Sequence, residues 1–347
     1  MVLSYRPPLA GAGGVSGATV PRPPRQRLPR AYAGRMGRVT SRAPVLRLDT
    51  ATGVAVRRPD TLAAEEPLEV RVGGQAVVVT MRTPGDDLDL AVGFLLTEGL
   101  LASADDVATA MHCTDLGEDG RPTFNVVEVA LRPGVPPPDL EGRRTFGMTS
   151  ACGVCGSASI DAVRRRSRYD VAGDDVRVDA GLLVSLPERL RAAQRVFDRT
   201  GGLHAAGLFT ATGDLLAVAE DVGRHNAVDK VLGRAARERG WPLTGTVLQV
   251  SGRASFELAQ KAWSAGVPVL SAVSAPSSLA VELAADAGMT LAGFVRDPRL
   301  NVYTGAHRVV APPATDGERA GERDGVPATA QATVQVAARP AVAQPSR

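Results

Sequence analysis

Cys152 and Cys155 stand in the run Gly147-Met148-Thr149-Ser150-Ala151-Cys152-Gly153-Val154-Cys155-Gly156-Ser157, and no other residues of the chain are better suited to covalent chemistry. Two thiols at this spacing can reach one another, share a proton or hold one metal ion. Only the thiolate attacks, so the surroundings must bring a thiol below its usual pKa of about 8.5, which N–H groups in a glycine-rich turn can do. Three chemistries fit. A zinc site needs three or four ligands; His112 and Cys113 could complete a set, but no second paired motif exists. A thioredoxin-like redox site belongs between a strand and a helix, whereas this motif follows a linker and is hemmed by glycine. The third chemistry is sulfur transfer. One cysteine accepts a terminal sulfur as a persulfide, a reversible cap of a reactive thiol, and the other modulates its release. The motif alone leaves the three open.

The elements that must position such chemistry fall into two regions. In the first, about 44–145, Glu69–Val72 and Ala76–Thr80 flank Gly73-Gly74 and read as a hairpin. Leu88, Val92, Leu95 and Leu96 follow at helical spacing, Thr123–Arg132 reads as a strand, and Pro136-Pro137-Pro138 as a linker. The second region, about 180–310, predicts a helix over 187–199 opened by Pro187, then a hairpin of 205–211 and 215–220. Helices over 225–238, 255–265 and 278–287 then alternate with strands 246–250, 267–273 and 289–295. Gly266 and Gly288 stand where helix ends favour a left-handed residue. Those three strands are almost wholly apolar, as in a parallel sheet covered on both faces. The class is α/β, in the order αββαβαβαβ. Residues 146–179 are left as a mobile loop and linker carrying the cysteines.

In such sheets a ligand lies beyond the carboxyl ends of the strands, where helix N-termini present free N–H groups. Each end here is distinctive: Ser251-Gly252-Arg253-Ala254-Ser255, Ser274-Ala275-Pro276-Ser277-Ser278, and Arg296-Asp297-Pro298-Arg299 after Phe294 and Val295. A further helix starts nearby at His225-Asn226. Small residues admit an anion to the backbone, while hydroxyls and arginines pair phosphate oxygens. One loop alone would more simply be a helix cap with a surface charge; several along one edge make a phosphate site the better reading. Arg253 is the best single phosphate partner. His225 is either a ligand contact or proton carrier, or a helix cap. Lys230 reads as structural and Lys261 as a solvated helix residue, although these are the only two lysines in an arginine-rich chain. That retention hints at places needing a compact ammonium. No P-loop or G-x-G-x-x-G pattern occurs, which takes support from the common triphosphatase and dinucleotide classes.

The formal charge of +3 conceals an uneven distribution. Residues 1–42 hold eight arginines and no carboxylate, so the basic character belongs to a Pro/Gly/Arg-rich tail (1–43) rather than to a nucleic-acid groove. A natural start at Met36 would make 1–35 an upstream extension; 311–347 reads as a second disordered tail. Three cysteines argue against a secreted disulfide framework. No stretch approaches the roughly 20 apolar residues of a membrane span, nor does the N-terminus resemble a secretory signal. A cytoplasmic protein, with neither membrane nor nucleic acid as partner, is expected.

Beyond these motifs, the chain resembles the FdhD family of sulfur carriers. The resemblance rests on Glu65–Glu69, Met81–Gly85, Gly93–Gly99, Cys152–Gly156, Thr200–Ala206, Glu220–Lys230, Ser251–Glu257, Ser274–Glu282, Gly293–Arg296 and Asn301–Tyr303, which together span about 44–308. It implies a sulfurtransferase that takes sulfur from a cysteine desulfurase. The acceptor would be the molybdenum cofactor carrying two pterin guanine dinucleotides, before its insertion into formate dehydrogenase. No cofactor would be permanently bound, GDP would be a surrogate ligand, and the protein would be a homodimer. It further implies a cytidine-deaminase-like three-layer domain beside a smaller N-terminal α+β domain. The deaminase zinc signature is absent here, so deamination is not expected. Cys152 matches the persulfide cysteine, Cys155 its companion, and Phe294, Val295, Arg296, Asp297, Pro298 and Arg299 the cofactor-binding segment. Two readings of another class stay beside this one: a cofactor-binding chaperone with regulatory cysteines, and a zinc enzyme.

Overall fold

The computed structural model describes residues 38–113, 124–140 and 167–311, together with a two-residue strand, β1, at Leu3–Ser4. Then come β2 (Thr40–Leu48), β3 (Ala55–Ala63), β4 (Glu66–Val72), β5 (Gln75–Arg82), α1 (Asp87–Thr97), β6 (Val107–His112) and β7 (Val126–Leu131). The second half holds β8 (Val178–Asp179), α2 (Ala180–Ala193), α3 (Phe197–Thr200), β9 (His204–Thr210), β10 (Leu215–Asp221) and α4 (Arg224–Arg239). It continues with β11 (Thr246–Val250), α5 (Phe256–Ser264), β12 (Val269–Ala272), α6 (Ser278–Asp286), β13 (Thr290–Arg296), β14 (Arg299–Thr304) and β15 (Val309–Val310).

A five-stranded sheet runs β1-β6-β7-β4-β5 and a six-stranded sheet β10-β9-β11-β12-β13-β14. In the larger sheet β11, β12 and β13 are parallel, and every residue of β11 is buried, as strands covered on both faces must be. Alternation divides their side chains. Val247 and Val269 pack on Leu183, Leu186 and Leu190 of α2. Leu248, Leu270 and Leu291 pack on the other side with α4, α5 and α6. The smaller sheet buries Leu68, Val70 and Val129 under α1.

Helices α1 and α4 join the two halves by direct backbone contact. A Cβ on Gly93 would stand 1.9 Å from the Asp229 carbonyl oxygen, and one on Gly233 2.0 Å from that of Asp89. Around this crossing Arg234 and Arg237 pair with Asp89, and Arg234 also reaches Asp86.

The αββαβαβαβ order is present from α2 to β13, with α3 inserted, and Gly266 and Gly288 adopt the expected left-handed φ of +71° and +68°. Two expectations need correction, and one strand is new to the structure. The helix read as starting at Pro187 starts instead at Ala180, where the Asp179 side chain accepts from Leu182 N at 2.9 Å, and Pro187 lies inside it. Burial of Leu183, Leu186 and Leu190 outweighs the one donor that proline removes. The unforeseen strand is β14, an edge strand that follows β13 through a tight turn within Arg296-Asp297-Pro298-Arg299. Finally, β2 begins inside the stretch assigned to the basic tail and pairs over nine residues with β3.

Candidate functional site

Because β11, β12 and β13 are parallel, their carboxyl ends reach one edge of the sheet; the antiparallel β9 begins there and β10 ends there. Backbone hydrogen bonds bind these ends into a continuous row. Ser251 N donates to Ala205 O at 3.0 Å, Ser274 N to Gly252 O at 3.3 Å, Phe294 N to Ser274 O at 3.2 Å and Ser277 N to Ala254 O at 3.0 Å. The Ser251 hydroxyl accepts from Ala205 N at 2.9 Å. Helices α4, α5 and α6 all start from this edge, aiming their first-turn N–H groups and positive dipole ends at it. Strand-end topology and loop composition together bring these loops to one edge in the sequence, and the structure places them side by side.

Two histidines sit at the α4 end of the row. His204 is half-buried beside Gly252; burial pushes its imidazole below the usual 6.5, Arg224 and His225 add to this, and Asp221 opposes it. It is therefore a neutral imidazole at neutral pH. His225 Nε2 stands 3.9 Å from Glu257 Oε2. The His225 imidazole beside it holds the Glu257 carboxyl down to about 2, against the penalty of burial. Glu257 is thus an anion in the first turn of α5, where it complements the dipole. A cleft of about 630 Å³, in the usual range for small-molecule sites, opens beside the row and is lined by Leu190, Gln194, Phe197, His204, Ser251 and Val273 among others.

Beneath the edge lies a clamp that spacing could not reveal. The Asp221 carboxylate, fully buried, pairs with Lys230 Nζ at 2.7 Å and accepts from Thr83 N at 3.1 Å, Gly223 N at 2.8 Å and Asn226 Nδ2 at 3.0 Å. Lys230 Nζ also donates to Thr83 O at 2.8 Å, and Asn226 Nδ2 to Met81 O at 2.8 Å. Met81–Thr83 and Asp221–Lys230 are therefore one constellation that fixes how α4 leaves the sheet. Lys230 is structural, as its position suggested. Asn226 faces the clamp rather than a ligand. Lys261 is the correction: it is buried, not solvated, with Nζ at 3.0 Å from each of Asp229, Glu98 and Thr97.

The remaining sequence-derived candidates divide by environment. Arg253 is exposed on the row, and Arg296, Asp297, Pro298 and Arg299 are exposed in the turn between β13 and β14. Phe294 is 40% exposed with a left-handed φ of +51°, a conformation that costs a bulky residue energy and marks a constrained position. Val295 is buried in the sheet, so its side chain faces the core. The Ser277 hydroxyl accepts from Ala280 N at 3.3 Å and so caps α6. Cys152 and Cys155 lie outside the described residues. Among those that are described, no group of three or more His, Cys, Asp or Glu side chains is placed to hold a metal ion, and no helix is long and apolar enough to cross a membrane.

Comparison with known proteins bears on this geometry. The model of the FdhD/NarQ family matches residues 63–310. The sulfur carrier protein FdhD of Streptomyces avermitilis is 58% identical over 277 residues, covering 79% of this chain and 97% of that protein. The sulfur carrier protein FdhD of Mycobacterium tuberculosis is 57% identical over 257 residues, 73% of this chain and 93% of that one. A crystal structure from Desulfotalea psychrophila, of a protein described as a formate dehydrogenase accessory protein, superimposes with a TM-score of 0.63 at 21% identity. It covers 79% of this chain and 100% of the other, and so bears on the fold.

Proposed function

The chain belongs to the FdhD/NarQ family, a family of sulfur carrier proteins, and from that premise we propose that it loads a persulfide on Cys152 and delivers the sulfur to a molybdenum cofactor carrying two pterin guanine dinucleotides. The donor is a cysteine desulfurase, and the loaded cofactor goes to formate dehydrogenase. The cofactor is cargo here, not a resident group.

The observation that carries this reading is the strand-end row. A guanine dinucleotide brings phosphates, and the row offers helix N-termini at Arg224 and Phe256, the exposed guanidinium of Arg253 and the small residues Ser251, Gly252 and Ser274. Arg296 and Arg299 supply further positive charge at the far end. The neutral imidazole of His204 lies where the row meets the cleft, placed to take or give a proton at a sulfur brought there.

In the first step the Cys152 thiolate attacks the outer sulfur of the desulfurase persulfide. That S–S bond breaks, the desulfurase cysteine leaves as thiolate, and Cys152 carries S–SH. In the second, Cys155 attacks the inner sulfur, releasing hydrosulfide to the metal and closing a Cys152–Cys155 disulfide. A dithiol reductant then restores both thiols with two electrons. Titration with GDP tests the seat of the cargo: binding must weaken in Arg253→Ala. Undiminished affinity would place the nucleotide elsewhere.

A further inference from the structure

The hairpin of β2 and β3 stands apart from both large sheets: its strands pair only with each other. At about 3.3 Å per residue, nine residues give an arm roughly 30 Å long. Its turn is well made, with Ala51 N and Thr52 N donating to Asp49 Oδ1 at 2.9 and 3.0 Å. Such a two-stranded ribbon is marginal on its own in water. This one nevertheless exposes Leu46, Leu48, Val54, Val56 and Leu62, five of the nine large apolar side chains exposed among the described residues, with Leu48 at 64%.

The charges on the arm are as one-sided as its surface is apolar. Arg42, Arg47, Arg57 and Arg58 are all exposed, against two carboxylates, of which Asp49 is engaged in the turn. Register sets Leu46 and Leu48 with Arg42 and Arg57 on one face, and Val56 and Leu62 with Arg47 and Arg58 on the other. Pro44 opposes Pro59, which removes donors midway along both edges, so a partner reads the faces rather than adding a strand. Two arms meeting face to face would crowd like charges, which disfavours a second copy. Residues 40–63 hold no aromatic to stack on a base, and leucines on both faces do not suit a phosphate backbone. An acidic protein surface with an apolar centre fits.

The root of the arm locates its use. Arg199 Nη2 donates to Thr40 Oγ1 at 3.4 Å, and Gly202 lies beside Ala63; Phe197, Gly201 and Gly202, on the same segment, line the cleft next to the strand-end row. We propose that the β2–β3 hairpin is a docking arm for an acidic, apolar-centred surface of the enzyme that receives the cargo, holding that enzyme at the rim of the cleft. This rests on the carrier reading above.

The test uses the full chain and purified formate dehydrogenase prepared without its molybdenum cofactor, with binding followed by interferometry. Wild type is expected to bind with an affinity that falls as salt rises. Arg57→Glu/Arg58→Glu and, separately, Leu46→Ser/Leu48→Ser are each expected to weaken binding about ten-fold or more. Both variants should load sulfur from desulfurase and cysteine as fully as wild type by intact mass. Equal binding by both variants overturns the proposal. So does a wild-type dimer in sedimentation that the arm variants dissociate, or duplex DNA captured through the same arginines. A wild type that docks through the arm yet takes up no sulfur would instead refute the carrier reading and leave the arm standing.

Discussion

Asp221 and Lys230 form a 2.7 Å ion pair in which neither side chain is more than 1% exposed, and this pair carries the start of α4 on the end of β10. Removing one member leaves the other charged and buried, which costs about 3–5 kcal/mol. Lys230→Met should therefore lower stability in urea unfolding by that amount. A change within about 0.5 kcal/mol, the range of an ordinary surface substitution, would show that the pair is not structural.

The crossing of α1 and α4 depends on two residues without side chains. Gly93→Ala would set a methyl against the Asp229 carbonyl, a backbone atom that cannot swing away. The helices must separate, at about 3 kcal/mol or more. Gly202→Ala is the control: its Cβ would meet nothing nearer than 3.9 Å, and its melting temperature should match wild type.

Much of the fold was legible because local signals agreed with the final packing. The apolar strands β11 to β13 and the glycines closing α5 and α6 could mean little else. What stayed hidden was long-range. Thr83 finds Asp221 across 138 positions, and Lys261 finds Glu98 across 163, which no spacing encodes. Lys261 had one visible signal, its being one of two lysines in an arginine-rich chain, and a helix-face reading overrode it. A compact ammonium fits among Asp229, Glu98 and Thr97 where a planar guanidinium would not. The β2–β3 hairpin was missed because both its faces mix arginine with aliphatic side chains, so the two-residue period never appears. At the site, the row was readable from loop composition, while the roles of Ser277 and Asn226 as cap and clamp needed coordinates. His204 was visible only as part of a family block.

Lys261 gives a prediction in alkali. Burial alone would lower its pKa, but Asp229 and Glu98 more than offset this and raise it above 10.5. A group whose pKa is raised by folding stabilises fully below its unfolded value and loses that stabilisation as pH climbs through the folded one. Wild type should accordingly lose stability above pH 10.5 relative to Lys261→Met. Parallel denaturation curves for the two proteins across that range would contradict the buried ion cluster.

Glu257 behaves in the opposite sense. Its carboxyl is lowered from 4.5 to about 2, first by the His225 imidazole, so its contribution is complete above pH 4.5 and lost as pH falls toward 2. In acid unfolding followed by circular dichroism, Glu257→Gln should approach wild type as pH drops through that window. A constant difference between them would mean that the His225–Glu257 contact does not form in solution.

Arg253 and Ser277 separate ligand contact from capping on the same row. A charged hydrogen bond is worth about 1.5–3 kcal/mol, so Arg253→Ala should weaken GDP about ten- to a hundred-fold in calorimetry. Ser277→Ala should cost about 1 kcal/mol of stability through its lost cap and leave GDP affinity unchanged.

Mass measurement of the intact chain after incubation with a cysteine desulfurase and cysteine tests sulfur transfer most directly. Transfer through the thiol pair predicts one added sulfur atom on wild type, removable by dithiol, and none on Cys152→Ala. A Cys152→Ala protein that gains as much sulfur as wild type would contradict it.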